Sequence, residues 1–121
     1  MAQTYPSTCP DINAGTKLEV DSADALIGIN RGTVLLTKGT AAAMTLAAPT
    51  AGQDDGKELR IIAGTANAHT VTITTSACLN GVYHIFTFAG YIGNTLNLVA
   101  YNGVWYTPTS NATAATGGTL S

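Results

Sequence analysis

The chain has 121 residues, of which 45% are hydrophobic and only 10% charged, with a formal net charge of −2. That length suits a single domain, and the weak negative charge leaves no electrostatic footprint for nucleic acid or an anionic membrane. Ordinary soluble domains carry about 25% charged residues. So neutral a surface points either to a buried subunit interface, whose core is depleted of charge, or to a bland, thick-walled β-structure.

The first residues, Met1 to Pro6, have neither the basic start nor the apolar core of a signal peptide. No apolar run approaches the ~20 residues needed to span a bilayer, so a cytosolically made protein with no membrane partner is expected. Residues 1–16 hold Pro6, Pro10, Cys9 and Gly15 without any sustained period, which predicts an extended arm. A β-domain is expected over residues 17–109. Lys17 to Asp21 alternates as a short strand, whereas Asp24 to Asn30 fits a strand or one helical turn equally well. Gly32 to Thr37 and Ala43 to Pro49 are further strands, followed by a polar connection, Thr50 to Lys57, turning at Asp55-Gly56.

Glu58 to Ala63 alternates with Leu59 and Ile61 on one face. His69 to Thr74 alternates more cleanly, with Val71 and Ile73 inward and threonines outward. Asn80-Gly81 turns the chain into Val82 to Phe88. Asn102-Gly103 then separates two runs rich in aromatic and β-branched residues, and a two-residue Asn-Gly loop favours a type I′ turn. That turn sets Tyr101 opposite Val104, Ala100 opposite Trp105 and Val99 opposite Tyr106. Tyr101, Asn102, Gly103, Trp105 and Tyr106 are accordingly read as a packing hairpin, with Trp105 in the core. Residues 110–121 offer nothing to bury and are expected to form a flexible tail. No helix is predicted. Eight or nine short strands at regular spacing imply an all-β fold: a small antiparallel β-sandwich, a barrel or an intertwined β-roll.

Catalytic and metal signatures are weak. Asp54, Asp55 and Glu58 lack the spacing of an EF-hand loop, and Asp55-Gly56 reads as a turn. Two histidines, His69 and His84, and two scattered cysteines do not make a zinc site. Cys78 has no basic neighbour to activate it, and Cys9 and Cys78 are read as free thiols. The glycines form no phosphate cradle. The aromatics from Tyr83 to Tyr106 have no Lys or Arg between them, which disfavours a nucleic-acid stacking platform. No catalytic residue, cofactor or metal ligand is assigned.

Four segments carry a resemblance: Thr45 to Lys57 with Asp54-Asp55-Gly56-Lys57, Leu59 to Thr65, Ala68 to Thr72, and Gly93 to Tyr106. Together they resemble small head-decoration (cement) proteins of tailed bacteriophages and β-rich modules of phage fibres. The resemblance covers a little over half of the chain and excludes its first forty residues. It implies a non-enzymatic virion protein working as a homotrimer on the outer surface of the capsid, with the major capsid protein as partner. A short tail-fibre or receptor-binding module is the alternative, and a carbohydrate-binding β-domain a further one. Within the arm, Tyr5, Pro6, Pro10 and Ile12 are the expected capsid contacts.

Overall fold

The computed structural model describes residues 17–108 and 118–121. Nine strands are formed among them: β1 (Leu18–Asp21), β2 (Gly32–Leu36), β3 (Ala43–Leu46), β4 (Glu58–Ala63), β5 (Thr70–Ile73), β6 (Ile85–Phe88), β7 (Thr95–Tyr101), β8 (Val104–Tyr106) and β9 (Gly118–Leu120). They make a five-stranded sheet in the order β1-β2-β4-β7-β8 and a four-stranded sheet in the order β3-β5-β6-β9. The inner faces share one core. Val34, Leu36, Leu59, Ile61, Leu96, Leu98 and Trp105 come from the first sheet, and Met44, Leu46, Val71, Ile73, Phe86 and Phe88 from the second. This is a small β-sandwich.

The sheets are mixed, which corrects the antiparallel expectation. β1 pairs with β2, β2 with β4, and β3 with β5, all in parallel. The cause is the path of the chain. From β1 it crosses to the second sheet, where the amide of Ile27 donates to the carbonyl of Thr45 and the amide of Thr45 to that of Ala25. It returns to the first sheet as β2, crosses as β3, returns as β4 and crosses again as β5. Each circuit lays one strand on each sheet in the same direction, so neighbours within a sheet run parallel. The Asp24–Asn30 segment is therefore extended, with a single parallel bridge from Leu26 to Thr45. Only the later strands close by antiparallel pairing.

The expected C-terminal tail needs a second correction. Residues 118–120 form β9 and pair with β6, and Leu120 packs against the core. Gly118 permits this, because a Cβ there would lie 2.3 Å from the carbonyl oxygen of Thr87 and 2.5 Å from the ring of Phe86. A composition of small residues concealed the strand, since its stability comes from non-local backbone pairing. The expected arm, residues 1–16, lies outside the described residues.

His69 is fully buried and ties the sheets to their connections. The amide of Ala42 donates to its Nδ1 at 2.9 Å, so the proton resides on Nε2, which donates to Thr65 Oγ1 at 3.0 Å; that hydroxyl in turn donates to the carbonyl of Lys38. Burial, reinforced by the nearby Lys38 charge and opposed by the Thr65 contact, pulls the His69 pKa below its ordinary value. The unfolded chain therefore takes up a proton below pH ~6.5 that the native ring refuses. The contribution of His69 to stability is complete above that pH and is lost as pH falls toward the lower native pKa. Nitrogen-resolved NMR is expected to show a neutral Nε2–H ring at pH 7, titrating below the ordinary histidine value. A protonated native ring at that pH would contradict the assignment.

Candidate interaction surface

The two outer faces of the sandwich differ. The four-stranded sheet presents Thr45, Thr70, Thr72, Thr87 and Thr119 with Ala43 and Ile85, following the predicted alternation. The five-stranded sheet presents a more varied surface, organised in cross-strand rows by the register.

At one end Val20, Leu35 and Ile62 lie side by side across β1, β2 and β4. Val20 is 54% and its neighbour Leu18 67% exposed. The loop bearing exposed Tyr91 and Ile92 is fastened at this end, where the amide of Gly93 donates to the carbonyl of Ala63. Parallel strands are ordinarily buried on both faces. Here the parallel part of the sheet leaves an apolar row only partly covered: Val20 is exposed, and Leu35 and Ile62 are half-buried.

β1 is also an edge strand with an inverted pattern. Its apolar residues face outward, whereas Glu19 and Asp21 lie in register with the core residues Val34 and Leu36. Inward carboxylates at a sheet edge discourage uncontrolled strand pairing. The amide of Gly28 donates to Glu19 Oε1 at 2.9 Å, while Asp21 Oδ2 is buried and accepts no hydrogen bond from a described residue. Burial, then the adjacent Asp21 carboxyl, pushes Glu19 up to about 7 against the opposing effect of the Gly28 amide. With the native pKa raised, this group's contribution is fully present below the unfolded value and lost as pH rises through about 7. Glu19→Gln keeps an acceptor for Gly28 without the charge. It is expected to be more stable than wild type at pH 8 by about 1 kcal/mol, allowing for solvent screening, and indistinguishable at pH 4. Urea unfolding at the two pH values measures this; equal stability at pH 8 would refute it.

The opposite end of the face is built by the hairpin. Asn102 (φ 50°) and Gly103 (φ 81°) both take positive φ, and Val99, Ala100 and Tyr101 pair with Tyr106, Trp105 and Val104. Trp105 is wholly buried, and its Nε1–H donates to the carbonyl of Ala47 at 2.9 Å, tying the two sheets together. The other hairpin aromatics do not pack inward. Alternation places Tyr101, 60% exposed, and Tyr106, 40% exposed, on the outer face. The Asn80-Gly81 turn supports the hairpin from below, with the amide of Asn80 donating to the Trp105 carbonyl and its side chain bonded twice to Thr107.

Between the two ends runs an open groove of about 610 Å³, lined by Gly32, Thr33, Glu58, Leu59, Arg60, Asn97, Val99 and Pro108. Thr33, Arg60 and Asn97 form one cross-strand row along its floor.

The acidic candidates serve the scaffold. Asp54 is 5% exposed; its Oδ1 accepts from Lys57 Nζ at 2.7 Å and Asn30 Nδ2 at 3.3 Å, and its Oδ2 from the amide of Thr50 at 2.7 Å. The Lys57 contact, followed by the Thr50 amide, holds its carboxyl below the usual range. Asp55 Oδ1 accepts from the amides of Gly52 and Asn102, bracing the hairpin tip. Glu58 stands apart on the outer face, so the three carboxylates do not converge. Among the described residues no three His, Cys, Asp or Glu side chains gather as a metal-binding group. Both ring nitrogens of His69 are engaged, which removes it as a base for half-buried Cys78. Tyr5, Pro6, Pro10, Ile12 and Cys9 lie outside the described residues.

Comparisons of the chain with protein-family models, with curated proteins and with solved structures found no match.

Proposed function

We propose that the protein is a non-enzymatic structural subunit of a virion, a homotrimeric decoration protein that binds the outer surface of a phage capsid through the major capsid protein. The observation that carries this reading is the partly exposed apolar row on the parallel part of the sheet, where Val20 and Leu18 are exposed and Leu35 and Ile62 half-buried. A partner surface would bury it as helices bury the faces of other parallel sheets. Closed cyclic symmetry lets each copy cover its neighbour. The low charge of the chain and the resemblance of residues 45–106 to phage decoration modules point the same way. A subunit that binds only the assembled shell stabilises it by mass action, by about 2.7 kcal/mol per site at a concentration a hundredfold above Kd.

Light scattering on the purified chain at micromolar concentration is expected to give three times the monomer mass. Leu35→Asp, which places a carboxylate in the apolar row, is expected to give a folded monomer. Mixing with DNA-filled, tail-less heads should then deposit the wild-type protein on the shell. A monodisperse wild-type monomer would exclude the trimer, and failure to bind heads would exclude the decoration role. Selective binding to tails would favour the short-fibre alternative.

A further inference from the structure

The groove on the five-stranded sheet has a chemistry distinct from the apolar row beside it. Several polar side chains of the scaffold are engaged internally: Asp24 by Lys38 and the Ala43 amide, Asp54 by three donors, and Asn80 by Thr107. Among the described residues, Thr33, Glu58, Arg60 and Asn97 are free and gathered in one place. All four line the groove, and none of their side chains makes a hydrogen bond or ion pair with a described residue. Thr33, Arg60 and Asn97 stand in register on β2, β4 and β7, so the row spans two interstrand spacings, about 10 Å. Glu58 is two residues from Arg60 on the same face of β4 and opposite Val99, which lines the groove and pairs in turn with Tyr106.

We infer that this groove binds a neutral carbohydrate, of about the length of a disaccharide. The reason lies in the balance of groups. Arg60 supplies fixed donors, Glu58 fixed acceptors, and Asn97 and Thr33 both. A sugar presents hydroxyls that each donate and accept, in a plane, and a row of this composition satisfies them together. The positive charge of Arg60 is offset by Glu58 on the same strand, so an anion gains attraction from one and meets repulsion from the other. An uncharged ligand meets neither. Val99 and the ring of Tyr106, 40% exposed, provide an apolar flank for the C–H face of a pyranose. A volume of about 610 Å³ falls within the usual range for small-molecule sites.

The test is a titration of the isotope-labelled full chain with maltose, cellobiose, lactose and diacetylchitobiose, followed by amide NMR, with sodium acetate as an anion control. At least one disaccharide is expected to shift the amides of Thr33, Arg60, Asn97 and Val99 and the side-chain amide of Asn97, while acetate leaves them in place. Arg60→Gln and Asn97→Ala are each expected to weaken that binding at least about tenfold by removing hydrogen bonds. Both sites are exposed, so an unchanged melting temperature serves as the folding control. The inference is overturned if none of the four sugars shifts these amides, if the shifts survive both substitutions, or if acetate reproduces them. The last outcome would identify an anion site centred on Arg60. An unlabelled peptide covering residues 109–117, which follow directly from Pro108, serves as a competitor. Displacement of the sugar by it would assign the groove to the chain itself.

Discussion

Trp105→Ala is expected to cost about 3–5 kcal/mol of stability, the range of large aromatic truncations in a core. The side chain is fully buried, and its removal would open a cavity between the sheets. It would also leave the Ala47 carbonyl without the indole donor 2.9 Å away, a loss separate from the packing defect. Trp105→Phe restores most of the volume but not the donor, so it should recover the larger part of the loss and leave a residue of about 1 kcal/mol. Equilibrium urea unfolding of the three proteins separates the terms. A Trp105→Ala protein that unfolds at the wild-type midpoint would show that the ring is not part of the core.

Gly32→Ala is expected to cost about 3 kcal/mol or more. Gly32 has a φ of 101°, and a Cβ there would stand 2.3 Å from the carbonyl oxygen and 2.8 Å from the nitrogen of Lys17. Those are backbone atoms at the start of the β1–β2 ladder, where the amide of Thr33 donates to that same carbonyl at 2.7 Å. A methyl group would force β1 away from β2 and loosen the sheet edge on which Leu18 and Val20 sit. Gly56→Ala is the control. It has a φ of 86° but nothing within 4 Å of the added carbon, so it carries only the left-handed backbone penalty, about 1–2 kcal/mol. Equal losses at the two positions would mean that contact with Lys17 contributes nothing. Hydrogen exchange should localise the effect, with faster exchange confined to β1 and β2 in a Gly32→Ala protein that still folds.

Where a feature depends on neighbours in the chain, reading it requires only the local sequence. Val71 and Ile73 alternate with threonines, and the core residues of β5 follow from that pattern. Asn102-Gly103 demands positive φ at two successive residues, which only a tight turn supplies, and a tight turn leaves one register available to the strands it joins. Asp54 is a different case. Its Asp-Gly neighbourhood marks a turn, but nothing nearby signals that Asn30, Lys57 and the Thr50 amide would converge on it. The groove was equally hidden. Thr33, Arg60 and Asn97 are far apart in sequence and become one row only through the pairing of β2 with β4 and of β4 with β7.

The amino-acid sequence by itself determined the all-β character, the position of most strands, the burial of Trp105 and the closing hairpin. Each rests on period-two alternation or on local dihedral preference. Tertiary structure alone decided strand direction, because an alternating strand looks the same in parallel and antiparallel pairing. The choice was made by a chain that crosses the core after each early strand. It also decided that Leu18 and Val20 face out while Glu19 and Asp21 face in, against the order that hydrophobicity would choose, since β1 must match the register of β2. The same pairing makes a strand of Gly118–Leu120 beside β6, where Gly118 fits because the Thr87 carbonyl and the Phe86 ring leave no room for a side chain.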